Sequence, residues 1–221
     1  MLGEGLQIDA VHVLVSIAVY SGIAAAIILF LSMHLPQSTF GPANRISLIR
    51  GVIIAVLAGF LWHLPNSAIA GWTIVALASG ALILDGLDGA VARRSGTASA
   101  LGARLDCELD GLLTLVLCGI LYLSGRMDAY ILLAGGMHYA FWATQFLKWM
   151  PSVELPSSFR RQTVGVASSL VLVFCFVPGV GTPLTELFPV AVVLMLTLSF
   201  AADVVLAFRA NARHLALASE D

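Results

Sequence analysis

The sequence predicts an all-α, polytopic membrane protein, and two observations indicate this class. The first is composition, because 59% of the 221 residues are hydrophobic, only 11% are charged and the mean hydropathy is +0.96. Soluble domains carry about 25% charged residues. The second is a succession of apolar stretches, most of them near the ~20 residues that a membrane-spanning helix needs. An ordinary soluble domain is therefore excluded.

Seven apolar stretches follow one another along the chain. They are Val11 to Met33, Ile46 to Leu64, Ile69 to Ala92, Ala103 to Leu123, Ala129 to Met150, Val164 to Val180 and Leu184 to Phe208. The first has Glu4 and Asp9 where a cleaved signal peptide has basic residues, so we expect it to be a real helix. The second is interrupted by Arg50, which fits a helix that enters the bilayer obliquely.

The segment 34–43 is rich in Pro, Gly and Ser and separates the first helix from the others. We therefore predict a six-helix transmembrane core at residues 44–221, preceded by an additional N-terminal transmembrane helix and its linker at residues 1–43. The remaining loops are short, and the sequence shows no internal repeat. The core is expected to form one domain.

Basic residues predict the orientation of the chain in the membrane. When the loops are assigned alternately to the two sides, ten of the 11 Lys and Arg residues fall on one side and only Arg126 falls on the other. The positive-inside rule makes the basic side cytoplasmic. We expect an integral protein of a bacterial inner membrane, with the polar site described next facing the cytoplasm.

Four aspartates lie within one segment of this apolar chain: Asp85, Asp88, Asp106 and Asp110. Each charge at the centre of a membrane helix costs roughly 2.5 to 3.5 kcal/mol on insertion scales, so four of them need nearby water and cations. Oxygen ligands without His or Cys suit hard cations such as Mg²⁺ or Mn²⁺. The three cysteines show no paired spacing, which predicts small packing residues rather than a disulfide or a zinc site.

The spacing of these residues predicts two facing carboxylate pairs. Asp85 and Asp88 are three residues apart, and Gly89 and Ala92 continue their helical face. On the next helix Gly102, Asp106 and Asp110 recur every four residues. A tight turn at residues 93–100 makes the two helices antiparallel neighbours. Gly89 and Gly102 would let a diphosphate approach the backbone closely.

Each part of this pattern also has a simpler explanation. Two aspartates on a membrane helix can be ion-pair partners or a proton relay, and Gly and Ala at helical spacing usually mean close helix packing. Arg93 and Arg94 alone fit topology charges. Two other protein classes also use intramembrane carboxylates, namely Asp-rich membrane prenyltransferases and cation transporters.

The full pattern is more specific than its parts. Asp, two residues, Asp-Gly, two residues, Ala-Arg, eight residues, Gly, three residues, Asp, three residues and Asp is matched without deviation by Asp85, Asp88, Gly89, Ala92, Arg93, Gly102, Asp106 and Asp110. In this the chain resembles the CDP-alcohol phosphotransferase family, also called the CDP-alcohol phosphatidyltransferases. Asn44, Ser47 and Arg50 are more weakly similar to the amphipathic lead-in of that family. The additional helix before the core departs from its pattern.

The resemblance implies an enzyme that transfers a phosphatidyl-type group from a CDP-linked lipid, CDP-diacylglycerol, to an alcohol acceptor and releases CMP. It implies that Asp85, Asp88 and Asp106 hold Mg²⁺ or Mn²⁺, and that Asp110, also near the metal, is the general base. The residues implied for the CDP-lipid are Gly89, Ala92, Arg93, Ser99 and Gly102. Expected partners are the two substrates and membrane lipids; no nucleic acid is expected, and a homodimer is compatible with the resemblance.

The signature identifies the shared donor and leaves the acceptor open among inositol phosphate, glycerol phosphate, serine, choline and another lipid. Lys148, Arg160 and Arg161 flank a polar loop and fit either topology charges or a cationic pocket for a phosphorylated polyol. His138 fits either the acceptor cavity or a packed polar residue. The role of Asp203 is open between an ion pair and catalysis.

Overall fold

The computed structural model describes residues 8–34, 42–62, 64, 67–95, 100–146, 159–180 and 182–218. These residues form seven α-helices and contain no strand, which confirms the predicted all-α class. The helices are α1 (Ala10–His34), α2 (Pro42–Gly59), α3 (Ala68–Ser95), α4 (Ala100–Leu123), α5 (Ile131–Phe146), α6 (Phe159–Phe174) and α7 (Thr182–Ala218).

The helices and the predicted stretches differ mainly at their ends. α7 continues to Ala218, past the predicted end at Phe208, whereas α2 begins earlier than predicted, at Pro42, and ends at Gly59, before the predicted end at Leu64. The predicted stretches follow apolar side chains, whereas a helix continues wherever its backbone hydrogen bonds do. Hydropathy therefore predicts the apolar part of a helix better than it predicts where the helix begins and ends.

Three described segments are long and apolar enough to cross a membrane by length and composition: Ala10–Leu29, Ala68–Val91 and Leu187–Leu206. Shorter apolar helical segments are Ile131–Ala140 and Thr163–Phe174. α2 contains Arg45 and Arg50, and α4 contains Arg104, Asp106, Glu108 and Asp110, which lowers the apolarity of both helices. Together these helices agree with a polytopic membrane protein.

The core forms where α2, α3 and α4 meet, with α6 packed against α3 and α4. Its fully buried members include Ile54, Leu57, Ile74, Leu113, Leu117, Ile120, Leu121, Leu172 and Phe176. α1 packs mainly on α2, while α5 joins α4 to α7. The apolar core thus lies directly beside the helix segments that carry the predicted aspartates and fixes their relative positions.

Glycines allow two close helix contacts. A Cβ at Gly59 of α2 would lie 2.4 Å from the ring of His12 on α1, and a Cβ at Gly111 of α4 would lie 2.5 Å from Cδ2 of His138 on α5. Only residues without a side chain permit such an approach. α1 is therefore closely attached to α2, although the division into residues 1–43 and 44–221 stays a prediction.

The end of the bundle away from the aspartates is closed by tight turns. α4 is followed by Gly125, whose φ of 65° favours glycine. In the same turn Arg126 donates to the carbonyl of Cys175 at 3.4 Å, which joins this turn to the end of α6. Cys118 and Cys175 are buried, as expected of packing residues, whereas Cys107 is exposed.

Candidate active site

Arg50 of α2 lies at the centre of the acidic site. Its side chain is only 1% exposed. Nη1 lies 2.5 Å from Oδ1 of Asp85 and 3.2 Å from Oδ2 of Asp88, both on α3. Nη2 donates to Oδ1 of Asp110 on α4 at 2.7 Å. One buried guanidinium therefore connects three helices.

Asp106 completes this arrangement. Its Oδ1 lies 3.7 Å from Nη1 of Arg50, and its backbone carbonyl accepts a hydrogen bond from Nη2 at 3.3 Å. The hydroxyl of Ser47, one helical turn before Arg50, lies 3.1 Å from Oδ2 of Asp88 and 3.3 Å from Oδ1 of Asp106. The two predicted carboxylate pairs thus face each other, and two side chains of α2 hold them together.

The four carboxylates differ in their access to the surroundings. The side chain of Asp88 is 2% exposed, that of Asp85 29%, that of Asp106 36% and that of Asp110 55%. Asp88 is thus enclosed among Arg50, Ser47 and its neighbours. Asp110 is the most exposed of the four. The structure brings all four aspartates together, and their individual roles stay predictions.

The acidic residues fit a divalent cation in chemistry. Four carboxylates surround a single guanidinium, so the ionised site carries more negative than positive charge, and hard oxygen atoms are the ligands that Mg²⁺ and Mn²⁺ prefer. Within the described ranges, no three acidic, His or Cys side chains form a preassembled metal site. The guanidinium of Arg50 lies between the carboxylates in this conformation.

Several other predicted site residues are placed only in part. Gly89 lies on α3 and Gly102 on α4, both partly buried. Ala92 and Arg93 belong to the end of α3, Arg160 and Arg161 to the start of α6 and Asp203 to α7, but their side chains lie outside the described part of the chain. Ser99 and Lys148 lie outside the described residues altogether.

A second polar cluster, formed by Arg104, Glu108 and His138, occupies the other face of α4. Oε1 of Glu108 lies 3.2 Å from Nε of Arg104, and its Oε2 lies 3.4 Å from Nε2 of His138. Residues two positions apart on a helix point about 200° away from each other, so Glu108 faces away from Asp106 and Asp110. His138 is therefore a polar residue packed behind the acidic site rather than one that faces the aspartates.

The aspartate spacing does not identify two direct members of the site and one neighbour. Ser47 and Arg50 fit only the lead-in of the family pattern, although an arginine within an apolar helix requires anionic partners, and that signal points to the aspartates. Glu108 falls outside the four-residue spacing of the aspartates. Glu108 and Gly111 lie three residues apart on α4 and so share one helix face. That both meet His138 is apparent only once α5 is in place.

Four carboxylates gathered in a helical membrane bundle agree with an integral-membrane transferase of substituted phosphate groups, and comparison with known proteins gives this class. The sequence profile of the CDP-alcohol phosphatidyltransferases matches residues 40–206. The chain therefore belongs to the CDP-alcohol phosphatidyltransferase family, whose members generally depend on divalent metal ions.

One curated relative shares a shorter segment. Over 69 residues the chain is 42% identical to an archaetidylinositol phosphate synthase of Pyrococcus horikoshii, a segment that covers 31% of this chain and 34% of the relative. The chain thus matches about a third of the length of that protein. No solved structure matches the chain. The family is named for phosphatidyl transfer and the relative for a synthase, so the two names agree in reaction class.

Proposed function

We propose that this protein transfers a phosphatidyl group from CDP-diacylglycerol to a phosphorylated polyol and releases CMP. The observation that carries the proposal is the convergence of Asp85, Asp88, Asp106 and Asp110 around one point at the α2–α3–α4 interface. Family membership supports the reaction class. The identities of the lipid donor and of the acceptor go beyond the reaction class of the family, and both are proposed.

Asp85, Asp88, Asp106 and Asp110 are the residues that would hold Mg²⁺ or Mn²⁺. When bound, the cation would neutralise the negative charge of the donor diphosphate and the charge that develops on CMP as it leaves. The carboxylates also orient one another through Ser47, which lies between Asp88 and Asp106. Their placement on two helices of the core keeps this geometry rigid.

Asp110 is the proposed general base, and its exposure supports the assignment. It is the most open of the four carboxylates, so an acceptor hydroxyl can come within hydrogen-bond distance. The hydroxyl oxygen attacks the lipid-bearing phosphorus, its proton passes to Asp110, and the bond from that phosphorus to the oxygen of CMP breaks. CMP leaves with the electron pair, and the product is a phosphodiester. A covalent enzyme intermediate is not required.

The donor nucleotide is proposed to lie at the end of the α3–α4 hairpin. Gly89 and Gly102 offer backbone without side chains on the two facing helices, and Ala92 continues the small-residue face. Arg93 would add a charge-assisted contact to the diphosphate, and Ser99 a hydroxyl contact. These assignments follow the family pattern, residue by residue.

A phosphorylated acceptor is proposed because three basic residues flank the segment between α5 and α6. Arg160 and Arg161 open α6, and Lys148 follows α5 in sequence. The guanidinium group of arginine binds phosphate dianions well, because it donates two parallel hydrogen bonds. The Pyrococcus relative carries inositol phosphate in its name, which supports the same acceptor class. The alternative, that these are topology and headgroup charges, predicts normal acceptor kinetics after their removal.

The protein is proposed to lie in a bacterial inner membrane with this site facing the cytoplasm, because ten of its 11 basic residues share the side of the acidic site. We also propose a homodimer and a six-helix core at residues 44–221 that follows the additional N-terminal helix. Each requires its own measurement, namely crosslinking in membranes for the homodimer and expression of the core alone for the domain division.

The experiment that tests the function supplies membranes containing the protein with a CDP-linked lipid, Mg²⁺ or Mn²⁺ and a panel of acceptors, and identifies products by mass spectrometry. CDP-diacylglycerol and its ether-lipid counterpart are compared as donors. Release of CMP together with a new phosphodiester lipid supports the proposal. Ion flux without CMP release would instead indicate a cation transporter, and release of diphosphate from a prenyl diphosphate would indicate a prenyltransferase.

A further inference from the structure

The guanidinium of Arg50 lies among the carboxylates that a bound cation would need. Its Nη1 faces Asp85, Asp88 and Asp106 at 2.5, 3.2 and 3.7 Å, and these are the same three residues that the family pattern assigns to the metal. Metal–oxygen distances for Mg²⁺ and similar cations are about 2.0 to 2.6 Å. A guanidinium nitrogen and a divalent cation cannot both lie at the centre of the same carboxylates.

A displaced guanidinium needs a new anionic partner. The side chain of Arg50 is 1% exposed, and a charge at such depth is costly when it is unpaired. The donor brings a diphosphate to the same site under the proposed function. Arginine binds phosphate through two parallel hydrogen bonds, which suits this anion better than any neutral group nearby.

We propose that Arg50 couples cation binding to donor binding. In the donor-free protein its guanidinium competes with the divalent cation for Asp85, Asp88 and Asp106. Once the donor enters, the guanidinium leaves the carboxylates and donates to the diphosphate. This inference rests on the proposed function and makes Arg50 a binding residue for the donor. The cation should therefore bind weakly alone and more tightly together with the nucleotide.

The test measures binding rather than turnover. Mn²⁺ is titrated into the purified full-length protein in detergent, and free Mn²⁺ is followed by electron paramagnetic resonance with and without CDP. Arg50→Met keeps the length and apolar stem of the side chain but removes its charge. We expect about tenfold tighter Mn²⁺ binding without CDP, equivalent to about 1.4 kcal/mol, together with about tenfold weaker CDP binding at saturating Mn²⁺.

Two further variants separate charge from geometry. Arg50→Lys keeps the positive charge but cannot form the bidentate contact, so Mn²⁺ binding without CDP should stay near wild type while CDP binding weakens. Arg104→Met removes a positive charge from the other face of α4, where Arg104 pairs with Glu108. It should leave both affinities unchanged, and any general effect of net charge would appear there as well.

The opposite signs of the two effects make the inference easy to overturn. If Arg50→Met weakens Mn²⁺ binding or leaves it unchanged, Arg50 only holds the carboxylates in place, and the coupling is wrong. If Arg50→Met does not yield folded protein, Arg50→Lys decides, because wild-type CDP affinity in that variant contradicts a contact with the diphosphate. A wild-type protein that binds no Mn²⁺ and releases no CMP would instead refute the proposed function itself.

Discussion

In the donor-free conformation, Nη2 of Arg50 lies 2.7 Å from Oδ1 of Asp110, so the proposed general base is held on one oxygen by a residue from another helix. The side chain of Asp110 is nevertheless 55% exposed, which leaves an approach for the acceptor. The carboxylate of Asp110 is therefore fixed in orientation and still accessible to the acceptor.

Asp110→Asn should nearly abolish turnover while donor binding stays largely intact. The change removes the proton acceptor and hardly alters volume, and loss of a general base costs roughly 10² or more in rate. CMP release at saturating metal and substrates measures the effect. Glu108→Gln is the matched control, because Glu108 lies on the same helix but faces His138, and it should keep near wild-type CMP release.

Asp88→Asn should behave differently, since Asp88 is enclosed and contacts both Arg50 and Ser47. Its loss should weaken metal and donor binding as well as turnover.

For the Asp110→Asn variant, near wild-type turnover would show that another group accepts the proton.

Activity should require Mg²⁺ or Mn²⁺ and disappear after chelation. The site offers only hard oxygen ligands, so Zn²⁺ should restore little activity while Mg²⁺ or Mn²⁺ restores it fully. CMP release from washed membranes, with each metal added back in turn, measures this. Undiminished CMP release in the presence of chelator would contradict the metal role of the four aspartates.

Arg160→Ala or Arg161→Ala should raise the apparent KM for the acceptor far more than the KM for the CDP-lipid. The reason is the loss of a charge-assisted contact to a phosphorylated acceptor. Arg45→Ala removes an exposed positive charge near the start of α2 and serves as the control. Phosphorylated polyols should also outcompete free alcohols. Unchanged acceptor kinetics in both variants, or a preference for free inositol, would refute the phosphate pocket.

Gly111→Ala should destabilise the protein, because the added Cβ would lie 2.5 Å from Cδ2 of His138. Overpacking of this kind costs roughly 1 to 3 kcal/mol. Thermal unfolding in detergent measures the loss, and the double variant Gly111→Ala with His138→Ala should recover part of it. Gly136→Ala is the control, since a Cβ there meets nothing within 4 Å. Equal stability of both single variants would mean that the α4–α5 contact adjusts freely.

Sequence alone predicted the fold and the acidic site to different depths. Apolar length and the aspartate spacing predicted the seven helices and the approach of Asp85 and Asp88 to Asp106 and Asp110, because both follow from local periodicity. The contribution of Arg50 was not predictable in detail. Its partners lie 35 to 60 residues away in sequence, and only the packing of α2 against α3 and α4 brings them together. The Glu108–His138 contact depends in the same way on α5.

The order of synthesis adds a consequence to the central position of Arg50. The ribosome completes α2 before the aspartate-bearing helices exist, so the arginine enters the membrane before its partners. An isolated arginine in a membrane helix costs roughly 2.5 to 3.5 kcal/mol on insertion scales, a cost that its later partners offset. α2 should therefore remain near the translocon or the lipid headgroups until the α3–α4 hairpin emerges. Pairing of Arg50 with the aspartates of that hairpin would then hold α2, α3 and α4 together while the protein assembles.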